Sequence, residues 1–158
     1  MAPPVIKAIE TEAFGCKFRS RTEARFATFC DAAGVPWEYE PEGYRLASGW
    51  YLPDFRIRPE WAPDQVWVEI KPPSDTFDDP RWAELAEGSG LIVLVLRGLH
   101  RRGDTCGRDH MVRFWHPEGV VADVPRMWTG QRFAPAWDAA SAARFDRRAP
   151  AGRKGRRT

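Results

Sequence analysis

The stretch from Trp50 to Lys71 constrains the fold more than any other part of the chain. It reads WYLPDFRIRPEWAPDQVWVEIK, which is two extended runs separated by a polar loop that contains proline. The first run continues from Trp50 to Ile57. The second, from Val66 to Lys71, is rich in β-branched and aromatic residues and ends at Pro72. This pattern predicts two strands that can pair as neighbours.

The charged residues of this stretch lie near the ends of the two predicted strands. Side chains alternate across a strand, so Glu69 and Lys71 are expected on one face, with Val68 and Ile70 on the other. If the two strands pair, Asp54 comes close to Glu69. Two neighbouring carboxylates repel each other unless a cation lies between them, and Mg²⁺ prefers oxygen ligands. We therefore expect a small site with two carboxylates, one ammonium group and a divalent cation.

Each carboxylate also has an ordinary structural interpretation when it is taken alone. Asp54 follows Pro53 and would suit a turn, and Glu69 would suit the solvated face of a strand. The combination of both residues with Lys71 on two predicted strands favours the metal site.

The order of these motifs resembles the PD-(D/E)XK nuclease superfamily, which has the restriction-endonuclease-like fold. Pro53-Asp54 is followed, after fourteen intervening residues, by Glu69-Ile70-Lys71. The resemblance covers roughly Ser20 to Leu96 and is nearest to small phage and bacterial nucleases and to the transposase subunits that cut transposon ends. The segments that carry it are Ser20 to Arg25, Tyr39 to Pro41, Tyr51 to Phe55 and Val68 to Pro72.

This resemblance implies a role for each residue of the motif. Asp54 and Glu69 would bind Mg²⁺, for which Mn²⁺ may substitute, and the main-chain carbonyl of Ile70 would add a ligand. Such a cation lowers the pKa of water and neutralises charge that develops on a phosphate. Lys71 would orient the attacking water or stabilise the transition state, tasks to which a flexible ammonium group is suited.

Glu23 allows two interpretations. It lies three residues after Ser20, which is the spacing of a capping box at the start of a helix. The resemblance instead implies that a glutamate on the first helix reaches the metal as a further catalytic ligand. The two roles compete, because one carboxylate does not serve the cap and the metal well at the same time.

The remaining pattern predicts an α/β (α+β) fold with a central mixed β-sheet flanked by helices. The order α-β-β-β-α-β-β agrees with the restriction-endonuclease-like core, α-β-β-β-α-β, that the resemblance implies. Strand order within the sheet does not follow from the sequence. The expected helices are Ser20 to Ala33, Asp79-Pro80 to Gly88 and Pro135 to Arg147, and the further strands are Trp37 to Glu40, Tyr44 to Leu46, Leu91 to Leu96 and Met111 to Trp115.

The chain is expected to form a single domain over residues 1–148, with its core at about residues 20–96, followed by a disordered tail at 149–158. From Arg144 to Thr158 there are seven basic residues and one acid, a net charge of +6, which leaves −4 for the rest of a chain whose total is +2. Because an acidic body repels DNA, we expect the tail to tether nucleic acid rather than only to improve solubility. The tail residues concerned are Arg153, Lys154, Arg156 and Arg157.

A second basic segment precedes the strand that ends at Trp115. It is either a phosphate-binding loop or a solvated charged loop. Its arginines are Arg97, Arg101, Arg102 and Arg108.

Cysteine usage and hydropathy indicate a cytoplasmic protein. The three cysteines are odd in number and irregularly spaced, which fits a reducing compartment better than a disulfide framework. No apolar run approaches the roughly 20 residues that span a membrane, and the N-terminus lacks the apolar stretch of a signal peptide. The tryptophans of the central region are expected in the core rather than stacked on bases. They are Trp37, Trp50, Trp61 and Trp67.

Together these features predict a Mg²⁺-dependent endonuclease that hydrolyses phosphodiester bonds in DNA. Two alternatives stay open: a non-catalytic nucleic-acid-binding or complex-assembly protein with the same fold, and an RNA-directed nuclease. The presence of Asp54, Glu69 and Lys71 together argues against the non-catalytic alternative. A homodimer or a larger nucleoprotein complex would suit a double-strand cut, although the sequence identifies no surface for it.

Overall fold

The computed structural model describes residues 10–72, 74–76, 78–98, 112–119, 121–123 and 131–145. This part of the chain contains ten strands, three α-helices and one 3₁₀-helix, at Gln131–Phe133. The helices are α1 (Arg21–Ala33), α2 (Arg81–Ser89) and α3 (Ala134–Ala142). The strands are β1 (Thr11–Ala13), β2 (Cys16–Phe18), β3 (Trp37–Tyr39), β4 (Tyr44–Leu46), β5 (Gly49–Tyr51), β6 (Phe55–Ile57), β7 (Val66–Lys71), β8 (Ile92–Arg97), β9 (Val112–Trp115) and β10 (Val121–Asp123).

Six strands form one mixed sheet in the order β10-β9-β8-β7-β6-β3. β7 and β8 are parallel, with α2 between them in the chain, and the other neighbours in this sheet are antiparallel. β1 with β2, and β4 with β5, form separate two-stranded sheets. The expectation of an α+β fold with a central mixed sheet and helices is confirmed.

The core lies on both sides of the main sheet. One side carries α1 and α3, and its buried cluster includes Val68 and Ile70. The other side carries α2 and the β4–β5 hairpin, and its cluster includes Trp67, Trp82 and Tyr51. Because β7 alternates between these clusters, the side chains of Glu69 and Lys71 face the α2 side, as its sequence pattern predicts.

The stretch from Trp50 to Ile57 is not one strand arm, so that expectation is wrong. β5 ends at Tyr51 and belongs to the hairpin, whereas β6 begins at Phe55 and belongs to the main sheet. Pro53 lies between them and has no N–H to donate to a strand ladder, so the chain changes sheets at this point.

The second and third helices differ from expectation at their ends. α2 continues through Gly88 and ends at Ser89. The following residue, Gly90, is the C-cap, with φ 72°, and donates its N–H to the Ala86 carbonyl. α3 ends at Ala142, before the expected Arg147, because Ala143 adopts an extended conformation at φ −58° and ψ 132°. None of the helices in the described part of the chain is long and apolar enough to cross a membrane.

Three of the four central tryptophans pack in or against the core, and one does not. Trp37 and Trp67 are buried, and Trp61 is half-buried against Phe114. Trp50 is 68% exposed, so its expected place in the core is wrong. The β4–β5 hairpin directs this side chain outward while Tyr51 points inward.

Candidate functional site

The ends of β6 and β7 bring Asp54 and Glu69 together, and we refer to them as the carboxylate pair. The antiparallel register places Phe55 opposite Val68, so the next step along each strand places the carboxylate pair in adjacent positions. The Asp54 N–H donates to Glu69 Oε1 at 3.2 Å, and the Ile70 N–H donates to Asp54 Oδ2 at 2.8 Å. Each carboxylate is therefore oriented by a main-chain group of the other strand.

Both members of the carboxylate pair are buried, whereas the side chain of Lys71 is partly exposed to solvent. Asp54 is 7% exposed and Glu69 is 1% exposed. Lys71 Nζ lies 3.3 Å from Glu69 Oε2, and about a quarter of the lysine side chain is accessible. Lys71 is also the register partner of Arg97 on β8, which donates to the Asp75 carbonyl. Two cationic side chains therefore lie on neighbouring strands at this end of the site.

The electrostatics of the pair favour a bound cation. Burial raises the pKa of the Asp54 carboxyl well above its ordinary value, and the charge of Glu69 raises it further. Burial also raises the pKa of Glu69, although Lys71 lowers it in part. Burial alone would lower the pKa of Lys71, but the charges of Glu69 and Asp54 outweigh this and its pKa is raised. Two buried carboxylates with one ammonium leave a negative charge that a further cation would neutralise.

Tyr51 lies beside Glu69 on the hairpin side of the site, a role that the sequence did not predict. Its hydroxyl interacts favourably with the Glu69 carboxylate and lowers the pKa of Glu69. Trp82 of α2 donates its indole N–H to the same hydroxyl at 3.1 Å. Burial and the charge of Glu69 raise the pKa of Tyr51, so the phenol stays protonated and remains a donor. The sequence gives only a weak signal for this role. Tyr51 lies three residues before Asp54, but that spacing does not show which residue of β7 it contacts.

A further cation, Arg81, lies at the start of α2 beside this group. Its guanidinium carbon is 4.8 Å from the centre of the Tyr51 ring, and it pairs with Asp79 at 2.6 Å. The pKa of Arg81 is raised by its hydrogen bond to Asp79 first and, to a smaller extent, by the charge of Glu69. Arg81 therefore adds positive potential on the α2 side of the carboxylate pair.

Glu23 forms the capping box that its spacing predicts. The Glu23 N–H donates to Ser20 Oγ at 3.1 Å, and the Ser20 N–H donates to Glu23 Oε2 at 3.0 Å. The Tyr39 hydroxyl donates to the same oxygen at 3.0 Å. Burial raises the pKa of Glu23, and the charge of Asp54 raises it further, so the two carboxylates influence each other without sharing these contacts.

The donor set of the carboxylate pair suits a hard divalent cation. Within the described ranges, no group of three or more histidine, cysteine, aspartate and glutamate side chains could hold a metal ion. A cation would therefore rest on the two carboxylates and on main-chain oxygen. The Ile70 N–H points to Asp54, and because N–H and C=O of one strand residue point to the same side, the Ile70 carbonyl faces the same edge. Carboxylate and carbonyl oxygens are ligands that Mg²⁺ accepts, with water completing its shell.

The other arginines and lysine predicted to bind nucleic acid lie outside the described residues. They are Arg101, Arg102, Arg108, Arg153, Lys154, Arg156 and Arg157. No protein-family model, curated protein or solved structure matches the chain, so its functional assignment rests on the chemistry of the site.

Proposed function

We propose that this chain is a Mg²⁺-dependent endonuclease that hydrolyses phosphodiester bonds in DNA and that it belongs to the PD-(D/E)XK superfamily. The observation that carries the proposal is the buried pair of Asp54 and Glu69 with Lys71 beside it. Burial of two like charges is costly unless a cation is bound, and such an arrangement is a feature of functional sites.

The topology around the pair supports the same proposal. The elements α1, β3, β6, β7, α2 and β8 follow one another in the order α-β-β-β-α-β, with β4 and β5 as an excursion. β3, β6, β7 and β8 are consecutive in the main sheet, and only the last two are parallel. This order is similar to the restriction-endonuclease-like core that the motif resemblance implies.

Asp54, Glu69 and the Ile70 carbonyl would hold the cation. When bound there, Mg²⁺ or Mn²⁺ supplies Lewis acidity, lowers the pKa of water and offsets charge on the phosphate. The resemblance also offers Glu23 as a ligand, although its Oε2 already accepts hydrogen bonds from Ser20 and Tyr39.

The side chains around the cation position the reacting groups. Lys71 stays protonated because its pKa is raised, so its ammonium group can orient an attacking water or stabilise negative charge on the phosphate. The Ile70 N–H holds Asp54 in one orientation, and the Tyr51 hydroxyl favours the charged form of Glu69. A rigid pair of carboxylates reduces the reorganisation that the reaction requires.

DNA binding would draw on the basic segments of the chain. Arg97 beside Lys71 would contact phosphate next to the cleaved bond, and the further arginines and lysine named above would extend the contact. Two chains, or a larger nucleoprotein complex, would suit a cut through both strands.

Cleavage of a panel of labelled duplex, branched and single-stranded DNA and RNA in Mg²⁺, Mn²⁺ and EDTA tests the proposal. We expect a DNA product with either cation and none in EDTA. Lys71→Ala should lower the rate by about a hundredfold or more, because a charge-stabilising group is lost. Glu87→Gln, a charge change on the exposed side of α2, is the matched control and should leave the rate unchanged. Binding without cleavage of any substrate would favour the non-catalytic alternative.

A further inference from the structure

The β4–β5 hairpin has two chemically different faces. Tyr44, Leu46 and Tyr51 pack against the α2 side of the core. Arg45 and Trp50 are direct register partners, share the opposite face, and are both exposed. Directly opposed residues on an antiparallel pair lie within contact distance of each other. An arginine and an indole therefore stand side by side on the outer face of the hairpin.

Trp50 is the one large hydrophobic side chain that is exposed among the residues the structure describes. Its exposure follows from the alternation of β5, because Tyr51 takes the inward position, where its hydroxyl accepts the Trp82 indole N–H. Turning Trp50 inward would require a register shift that exposes Tyr51. The indole is thus presented to solvent by the same strand that supports the carboxylate pair.

The indole lies against the main chain of Gly43. A Cβ atom at Gly43 would fall 2.2 Å from Trp50 Cζ2 and 2.6 Å from Cε2, so the ring contacts the glycine where a side chain would otherwise stand. Gly43 does not have a positive φ, so the turn itself does not require glycine there. The absence of a side chain at position 43 instead makes room for the ring, which lies against the main chain as a flat apolar surface.

The exposed indole lies close along the chain to the residues of the proposed active site. Trp50 precedes Tyr51, whose hydroxyl interacts with Glu69, and four residues along the chain lead from Trp50 to Asp54. That length of main chain spans at most about 14 Å when fully extended. A nucleotide close to the cleaved bond would therefore come within reach of both the carboxylate pair and the indole.

We propose that Trp50 and Arg45 bind an unpaired base of the DNA substrate, and that the enzyme prefers DNA with a single-stranded segment next to the cleavage position. The proposal rests on the nuclease function proposed above. Unpaired bases stack on aromatic side chains, with arginine binding the adjoining phosphate, whereas the bases of an intact duplex are already stacked. The exposed indole beside an exposed guanidinium matches that chemistry.

Binding is measured by fluorescence anisotropy in EDTA, which prevents metal-dependent cleavage, with a blunt duplex and with the same duplex carrying a single-stranded extension. Trp50→Ala should weaken binding of the extended DNA about tenfold and leave the blunt duplex unchanged. Trp50→Phe retains a ring and should restore most of the affinity. Equal affinity of Trp50→Ala and wild type for the extended DNA, or equal losses on both DNAs, would overturn the proposal.

Gly43→Ala provides a second variant that does not remove the indole. The added methyl group should displace the ring and weaken binding of the extended DNA. In a Trp50→Ala background the same change should have no effect, because no ring is present to displace. Additive losses from the two changes would contradict the proposal.

Two results separate this proposal from the nuclease function. In the first, wild type cuts no substrate in Mg²⁺ but binds the extended DNA more tightly than the blunt duplex, and Trp50→Ala loses this difference in affinity. The stacking site is then supported and the nuclease function is wrong. If wild type cuts and Trp50→Ala binds both DNAs as wild type does, the nuclease function holds and the stacking site is wrong. Self-association that is lost in Trp50→Ala, without any change in DNA affinity, would assign the surface to a second copy of the chain instead.

Discussion

Glu69 and Lys71 form an ion pair across 3.3 Å on one face of β7, with the carboxylate inside the protein and the ammonium group at its surface. Asp54, the other member of the carboxylate pair, receives an N–H from Ile70. Lys71 therefore compensates one of two buried negative charges. The carboxylate pair should therefore make the stability of the metal-free protein depend on pH, and a bound divalent cation should change that dependence.

The first prediction concerns the stability of the metal-free protein. The pKa values of Asp54 and Glu69 are raised in the folded state, so the folded state holds protons that the unfolded state has released. Their stabilising contribution is complete below the ordinary carboxyl pKa of about 4 and is lost as pH rises through the raised values. Urea unfolding in EDTA should therefore show stability falling above about pH 4, and Mg²⁺ should restore stability at neutral pH. The opposite result would be a free energy of unfolding that rises with pH over this range in the wild type but not in Asp54→Asn. It would contradict a raised pKa for Asp54 in the folded state.

The second prediction concerns removal of one charge at constant shape. Asp54→Asn keeps an oxygen that accepts the Ile70 N–H, and Glu69→Gln keeps one for the Asp54 N–H. Each variant should fold and show no measurable cleavage. Asp54→Asn should also raise metal-free stability at neutral pH, because it removes both the cost of burying this charge and its repulsion with Glu69. Cleavage near the wild-type rate in either folded variant would show that the carboxylate pair is not the catalytic site.

The third prediction concerns Tyr51. Tyr51→Phe removes a hydroxyl that lowers the pKa of Glu69, and it leaves the Trp82 indole N–H without its acceptor, at a cost of about 1–3 kcal/mol in the free energy of unfolding. The pKa of Glu69 should rise, so the pH at which cleavage is half-maximal should shift upward. Tyr44→Phe is the matched control, since Tyr44 lies on the same hairpin face and its hydroxyl donates to Glu42 instead. If both variants have the same pH–rate profile as wild type, Tyr51 does not position Glu69.

The fourth prediction separates the two roles of Glu23. Glu23→Gln can still accept from Ser20 and from Tyr39, so we expect wild-type stability and an unchanged Mg²⁺ dependence of the rate. Glu23→Ala loses the capping box and should cost about 1 kcal/mol. Thermal unfolding and Mg²⁺ titration of cleavage measure the two effects. A Glu23→Gln enzyme that needs much more Mg²⁺ would instead assign this carboxylate to the metal.

The fifth prediction concerns the basic tail. Truncation after Pro150 should weaken DNA binding and reduce its salt dependence, while cleavage at saturating DNA should persist because the carboxylate pair is untouched. Each lost phosphate contact should lower the slope of log affinity against log salt by about 0.9. Replacing the four basic residues by serine at full length is the control for tail length and should have the same effect. Unchanged affinity and slope would leave the tail as a solubilising end. The residues replaced are Arg153, Lys154, Arg156 and Arg157.

The elements that the sequence predicted best are those with local signals. The capping box at Ser20 and Glu23 and the alternation of β7 each depend on residues within a few positions of one another, and both are confirmed. The approach of Asp54 to Glu69 also followed from two recognisable strands. The hairpin formed by β1 and β2 was not predicted, because the sequence up to Phe18 has no clear period.

The support of the site and the exposure of Trp50 depend on tertiary contacts that no local pattern encodes. Tyr51 meets Trp82 only because α2 packs beside the hairpin, 31 positions along the chain. Tryptophan is a residue type that usually packs in the core. Trp50 nevertheless points outward, because the other face of the hairpin covers the sheet. The sequence could therefore identify the motif residues but not the side chains around them.

The β4–β5 hairpin is an insert between β3 and β6 of the main sheet. β3 and β6 pair directly with each other. A bond from the Glu40 N–H to the Asp54 carbonyl, 2.8 Å long, closes the excursion at its base. Residues can be gained or lost within the hairpin without shifting the register of β6 against β7. Under the proposed function, natural variation in the insert outside Tyr51 would change which DNA is bound while Asp54, Glu69 and Lys71 keep their positions. Exchange of the outer face of this hairpin between related proteins would then alter substrate choice.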